Sequence, residues 1–354
     1  MTSSLSRIAF LYGFILVSPS PLILDLLPAP PLNTSTYRNG TWSSWGGSII
    51  FVPEDPAYAY HLFVAFFTQE CGLGSWTTNS EVIHAVSISD PLGPYTFYDV
   101  AVGVFAHNPQ IIRHTDGTFL LWTIGMSPQS PESNCTPKDS DDFSSFPPTT
   151  PPLTHGAELV EQRWSKSPYG PWTSVEKDGS LNLFNGTNPS PFVLSNGTVV
   201  VASHNNCGLT LSSASNWTGP FSNPICVVPY SEYPSISNFT FEDPFLWFSN
   251  GTWKVLLHSY NKTDPHTQFA VGGFAESLTD NAYGQWTLQA PSTPAYTTAV
   301  EFSDGTQETF SRRERPKLVF NSTTGDPIAL ITAVCPEPDG NQHCFTLGQL
   351  IRSK

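Results

Sequence analysis

A five-bladed, all-β propeller with mostly four-stranded antiparallel blades is the fold that this chain predicts, on three observations. A hairpin unit recurs along the 354 residues, a second turn unit follows most copies of it, and no helical period of useful length appears after the first 30 residues. The hairpin unit is clearest in "HNPQIIRHTDGTFLLW" from His107, "TNPSPFVLSNGTVVVASH" from Thr187, "FEDPFLWFSNGTWKVLLH" from Phe241 and "ERPKLVFNSTTGDPIALITAV" from Glu314. Each opens on a polar residue before proline, continues as an apolar strand, turns at Asp-Gly, Asn-Gly or Thr-Gly, and returns as a second apolar strand, the signal of a tight β-hairpin. "WGGSIIFVPEDPAYAYHLFVAFF" from Trp45 has the same shape without the proline and supplies the first unit.

The second unit completes the blades. "AVSISDPLGPYTF" from Ala85, "RWSKSPYGPWTSV" from Arg163, "LSSASNWTGPFSN" from Leu211 and "AESLTDNAYGQWTLQ" from Ala275 are each a strand, a glycine turn and an aromatic residue. Hairpin and turn unit together give three or four antiparallel strands per repeat, as a propeller blade requires. A β-sandwich has no reason to restart its strands on one proline motif. Residues 31–354 are therefore expected to form one propeller domain. The Pro/Ser-rich stretch from Gly125 to Glu158 is an insertion in the second unit, a length typical of lids and linkers.

Residues 1–30 read as a secretory signal and Pro-rich leader, with Arg7 before an apolar run, Ile8 to Val17, too short for a membrane span. Ten N-x-[ST] sequons, among them Asn33, Asn216 and Asn321, support a secreted glycoprotein. Six cysteines fit an oxidising compartment. The expected pairing is Cys335–Cys344 across a hairpin loop and Cys207–Cys226 within one unit, leaving Cys71 for Cys135. A formal charge of −14 argues against nucleic acid or anionic lipid as a partner, since both need a positive patch. With no CxxC pair or Cys/His cluster, neither zinc nor a cofactor is expected, although a structural calcium at the propeller centre is compatible with the reading. A monomer without a membrane attachment after signal cleavage is the expected state.

In an antiparallel blade the start of the inner strand and the end of the next strand share one face of the ring. Starts contribute His107, Asn108, Asn188, Glu242, Asp243, Arg313, Glu314 and Arg315; ends contribute Glu70, His204 and His258. Paired carboxylates at a cleft mouth suit glycosidic bond hydrolysis, one protonated and one ionised. Glu242, Asp243 and Glu314 are the catalytic candidates. Glu314, between Arg313 and Arg315, takes the base or electrostatic role, and Glu242, coupled to Asp243, takes the acid role. Each candidate also has an ordinary reading: Asn-Pro and Asp-Pro are common turn formers, strand-end histidines are often structural, and "SRRERPKL" can close the ring as an ion-pair network. Trp42, Trp45, Trp76 and Trp122 divide between core and sugar platform.

The motifs "AHNPQIIRHTDGTFLLWTIG", "EDPFLWFSNGTWKVLLH" and "RRERPKLVF", with the repeated G-P-aromatic turns, resemble the five-bladed propellers of the arabinanase, invertase and levansucrase superfamily, especially family-43-like glycoside hydrolases. The resemblance covers about residues 40 to 350. It implies an Asp before Pro on the first blade as base, an Asp on the second as orienting group, and a later Glu as acid. This chain has Gly46, Gly47 and Ser48 at the first position and Asn108 at the second. The leading expectation is a secreted glycoside hydrolase acting on a polysaccharide or oligosaccharide. The alternatives are a carbohydrate-binding propeller without turnover, and a polysaccharide lyase that would need Arg313 or Arg315 to neutralise a uronate.

Overall fold

The computed structural model describes residues 21–34, 36–40, 42–125, 127, 130–135, 160–177, 180–181, 186–232, 239–261, 271–290, 292–336 and 342–353. The expected signal up to residue 20 and most of the 125–158 insertion lie outside the described residues. Five antiparallel sheets form the ring, each with its strands in chain order. Blade 1 is Ser44–Phe51, Tyr60–Phe67, Ser80–Ser87 and Thr96–Val102; blade 2 is His107–Arg113, Phe119–Ile124, Val160–Ser165 and Thr173–Ser174. Blade 3 is Thr187–Val193, Val199–Asn205, Gly208–Ala214 and Ile225–Pro229; blade 4 is Phe239–Ser249, Thr252–Asn261, Val271–Ser277 and Trp286–Leu288. Blade 5 has three strands of its own, Arg312–Phe320, Pro327–Cys335 and Phe345–Leu350.

The N-terminal segment supplies the missing edge of blade 5. Leu26 bridges Ile351 in antiparallel fashion, Leu27 N–H donates to Leu350 O at 2.8 Å, and Arg352 N–H donates to Asp25 O at 2.8 Å. Further along, Tyr37 and Thr346 exchange two backbone hydrogen bonds at 3.1 Å. Residues 21–30, which the sequence reading places in the leader, therefore belong to the folded domain. Their Leu22, Leu24 and Leu26 pack on the blade 4–5 core, and Ala29 is fully buried. Pro21, Pro28 and Pro30 suit a short strap that pairs at only a few points.

Central blade strands are covered on both faces, which explains why "FLLW", "VVVA" and "KVLL" are continuous rather than alternating apolar runs. Leu120, Trp122, Val199 and Val201 fill the gap between blades 2 and 3, and Phe245, Trp247, Leu256, Leu318 and Leu330 that between blades 4 and 5. At about 1.5–3 kcal/mol for each large apolar side chain buried, these interfaces hold the ring together. Blade 4 turns tightly: Ser249 pairs with Thr252, and the two residues between them, Asn250 and Gly251, both have positive φ, 53° and 77°. That is the primed turn whose twist matches its strands, and Asn-Gly is its preferred sequence.

All three expected disulfides are present, Cys71–Cys135, Cys207–Cys226 and Cys335–Cys344. The first closes a separation of 64 residues and fastens residues 130–135 beside the short helical segments at 73–79, where Asn79 Nδ2 also donates to Glu132 O at 2.7 Å. Removing it with Cys71→Ser and Cys135→Ser together is expected to cost about 3–4 kcal/mol through the longer loop released in the unfolded chain. Denaturant unfolding of the double variant measures this; an unchanged midpoint would contradict it.

Candidate functional site

One backbone device repeated in every blade builds the site. Each inner strand carries a bulge near its start, interrupting the register between Trp45 and Ser48, His107 and Gln110, Thr187 and Ser190, Glu242 and Phe245, and Glu314 and Lys317. The residue after the first strand position of each bulge is left-handed: Gly46 (φ 67°), Asn108 (50°), Asn188 (53°), Asp243 (57°) and Arg315 (57°); in blade 1 Gly47 (138°) has positive φ as well. Glycine, asparagine and aspartate adopt this conformation at least cost, which accounts for four of the five identities.

The bulges sort the inner-strand residues into two layers. Trp45, His107, Thr187, Glu242 and Glu314, one from each blade, line a central cavity of about 330 Å³ together with Trp76, His204, Arg312 and Arg315. The next residue of each blade, Gly46, Asn108, Asn188, Asp243 and Arg315, lines a narrow channel. Asn108 Nδ2 donates to Asn188 Oδ1 at 2.5 Å, Asn188 Nδ2 donates to Asp243 Oδ1 at 2.8 Å, and Arg315 Nη1 donates to the same Asp243 oxygen. Blades 2 to 5 are thus connected by one run of side-chain hydrogen bonds.

Where the layers meet, His258 is buried against three carboxylates. Its Nδ1 is 3.3 Å from Glu242 Oε1, 3.4 Å from Asp243 Oδ2 and 3.8 Å from Glu314 Oε2. Arg312 Nη1 lies 3.1 Å from Glu314 Oε1. Burial alone would pull the His258 pKa down, but the charge of Glu314 and the hydrogen bond and charge of Glu242 outweigh it and raise the value. Glu242 moves the other way. Burial pushes its pKa up, yet the His258 hydrogen bond and the charges of Arg315, His258 and His204 hold it at about 2. The two cavity histidines are neutral: burial brings His204 down to about 4 despite Glu242, and burial followed by the Arg315 charge holds His107 well below its usual value. Ser80 Oγ and His107 Nδ1 are hydrogen-bonded at 2.7 Å.

Several sequence expectations change. Glu242 is held ionised rather than protonated, so the acid role does not suit it; its imidazolium and guanidinium neighbours come from other strands and are invisible in the local sequence. Arg313 leaves the ring, because it lies one residue from Glu314 in a strand whose side chains alternate. It is 1% exposed and donates to Thr297 O, Gln349 Oε1 and Thr332 Oγ1. Arg312, two residues from Glu314 and on its face, takes the place expected of Arg313; strand parity alone could have found it. Glu70 does not line the cavity: the strand ends at Phe67 and the following turn, with Gln69 and Glu70 left-handed, carries it to the exposed surface. His107, Asn188, His204, Glu314 and Arg315 do reach the cavity, while Asn108 and Asp243 line the channel. Of the tryptophans, Trp76 walls the cavity, Trp45 lies behind it fully buried, Trp122 is core, and Trp42 stacks on Phe66.

One ligand atom from each of Glu242, Asp243, His258 and Glu314 lies within 4.8 Å of the others. A calcium ion, which takes about six to eight oxygens, fits this set poorly, because Arg312 and Arg315 already occupy two of the carboxylates and one donor is nitrogen.

Sheet order and inner-strand bulges define a five-bladed β-propeller with an acidic central cavity. No protein-family model and no curated protein sequence matches the chain. Solved structures do resemble it. A thermostable family-43 glycoside hydrolase superposes with a TM-score of 0.57 at 12% identity, over 89% of this chain and 91% of that one. The α-L-arabinofuranosidase PaAbf62A from Podospora anserina gives 0.56 at 11% identity, over 93% and 95%. The endo-arabinase from Bacteroides thetaiotaomicron gives 0.53 at 12% identity, over 93% and 98%. At these identities the likeness is one of fold.

Proposed function

We propose that the protein is a secreted glycoside hydrolase that acts on a neutral oligosaccharide or polysaccharide with Glu242 and Glu314 as its working carboxylates. The observation that carries this reading is that these two, on neighbouring blades, both reach one tryptophan-walled cavity. Glu242, ionised, attacks the anomeric carbon. Glu314 relays the proton held by His258 to the departing glycosidic oxygen, and then takes one from the water that releases the sugar, returning it to His258. His258, whose Nδ1 faces both carboxylates, supports the charge on each as it changes. Trp76, which is only partly buried, offers an apolar face to the sugar rings.

Carboxylate oxygens of Glu242 and Glu314 lie within 4.8 Å of each other. This favours the double displacement, which uses carboxyl groups about 5–5.5 Å apart, over direct water attack, which needs about 6.5–9.5 Å. Products released from arabinan, xylan and galactan oligosaccharides are therefore expected to retain their anomeric configuration, as read by proton NMR in the first minutes of reaction. Initial release of the inverted anomer would overturn the assignment of Glu242 as nucleophile.

Uronate recognition loses its support. Arg313 points away from the cavity, and the arginines that line it are paired, Arg312 with Glu314 and Arg315 with Asp243. A second reading, sugar binding without turnover, draws on one observation: blade 1 presents Trp45 and Gly46 where the resemblance implies a carboxylate. Saturable glycan binding by calorimetry with no product after prolonged incubation would favour it.

A further inference from the structure

Arg313, displaced from the catalytic cavity, is a buried cation without a carboxylate partner among the described residues. Three of its five N–H groups meet the neutral oxygens of Thr297, Gln349 and Thr332, and its guanidinium carbon sits 5.0 Å from the centre of the Tyr296 ring. Burial draws its pKa down to about 10, so the charge persists at neutral pH. Beside it, the Tyr296 hydroxyl is buried, with 3% of that residue exposed, and has no hydrogen-bond partner among the described residues. A buried charge and a buried hydroxyl left this way each cost free energy, and both fall on the wall of one cavity.

That cavity, about 480 Å³, lies between the N-terminal strap and the segment entering blade 5, and shares no lining residue with the catalytic cavity. Leu24, Leu26, Pro28 and Pro294 give it apolar walls. Asp25 and Glu301, the carboxylates among its lining residues, are exposed, and Asp25 is paired with Arg352 at 3.1 Å. Apolar walls around a few convergent polar groups are the usual make-up of a small-molecule site, and the volume falls in the usual range.

We propose that this cavity binds a small organic acid, its carboxylate received by the two remaining Arg313 N–H groups and the Tyr296 hydroxyl, its apolar body lying against the strap. The acid would couple binding to ring closure, because Gln349, which accepts from Arg313, also donates to Leu27 O of the strap at 3.0 Å. The inference is independent of the catalytic reading.

The test uses the full chain, with hexanoate as probe and hexanamide and chloride as controls. Hexanoate is expected to raise the melting temperature saturably and to give a calorimetric isotherm, while hexanamide and chloride do neither. Tyr296→Phe, which keeps the ring over Arg313, should weaken hexanoate binding about tenfold or more through loss of a hydrogen bond to a charged group. Arg313→Gln should abolish it; if that variant fails to fold, Tyr296→Phe still decides. Absence of saturable binding, equal protection by chloride or the amide, or undiminished affinity in Tyr296→Phe would each overturn the proposal.

Discussion

Glu242→Gln is expected to lower glycan turnover by at least about a thousandfold while leaving the protein folded. The substitution preserves volume and one carbonyl acceptor for His258 but removes the negative charge that the reaction needs at the anomeric carbon. Azide separates the roles of the two glutamates. Added to a Glu242→Ala enzyme, whose truncated side chain leaves room for it, azide should occupy the nucleophile's place and yield a glycosyl azide of inverted configuration, whereas with Glu314→Ala it should trap the glycosyl-enzyme and yield the retained azide. Full activity in Glu242→Gln would remove this residue from the chemistry.

The same cluster sets the pH response. His258 has a raised pKa in the folded state, so its stabilising contribution is complete below its unfolded value of about 6.5 and is lost as pH rises through the raised folded value. Glu242 has a depressed pKa, so its contribution is present above its unfolded value of about 4.3 and is lost as pH falls toward 2. Activity should accordingly decline as pH rises through the raised His258 value and its proton leaves. In Glu242→Gln, where the group that helps to hold this proton is neutral, the corresponding stability transition should move to lower pH.

The repeat was legible because it is local: proline, apolar strand, Asn-Gly or Asp-Gly turn and second strand all fall within about 20 residues, and hairpin chemistry is written in neighbours. Two disulfides followed from cysteines close together within one unit, and the third, Cys71–Cys135, from the two that were left. The two layers at the ring centre were not legible in the same way. His107 and Asn108, or Glu242 and Asp243, are adjacent in sequence and look interchangeable, and only the left-handed residue in each bulge sends the first to the cavity and the second to the channel. Proline two residues after the cavity residue marks this break in blades 2 to 5, and Gly47 takes its place in blade 1. Charge balance was hidden for a different reason. Glu242 depends on His258, Arg315 and His204, each from another strand, so its ionisation is a property of the closed ring.

Asp243→Asn is expected to lower stability by about 2–3 kcal/mol, less than the 3–5 kcal/mol of a fully buried pair because the Arg315 side chain keeps 16% of its exposure. Asparagine suits the position sterically: Asn108 and Asn188 hold the equivalent left-handed conformation in blades 2 and 3, so backbone strain contributes little to the difference. What the substitution removes is the charge that faces Arg315 and His258 and accepts from Asn188. Asp243→Ala should cost more, since it adds the left-handed penalty of alanine and leaves the Asn188 amide without its acceptor. Combining Asp243→Asn with Arg315→Asn removes both charges and should recover at least half of the loss, the coupling expected of directly paired groups. Urea unfolding of the single and double variants measures the cycle. If the two losses simply add, Arg315 and Asp243 are not an energetic pair, and the run of hydrogen bonds from blade 2 to blade 5 does not hold the ring centre in place.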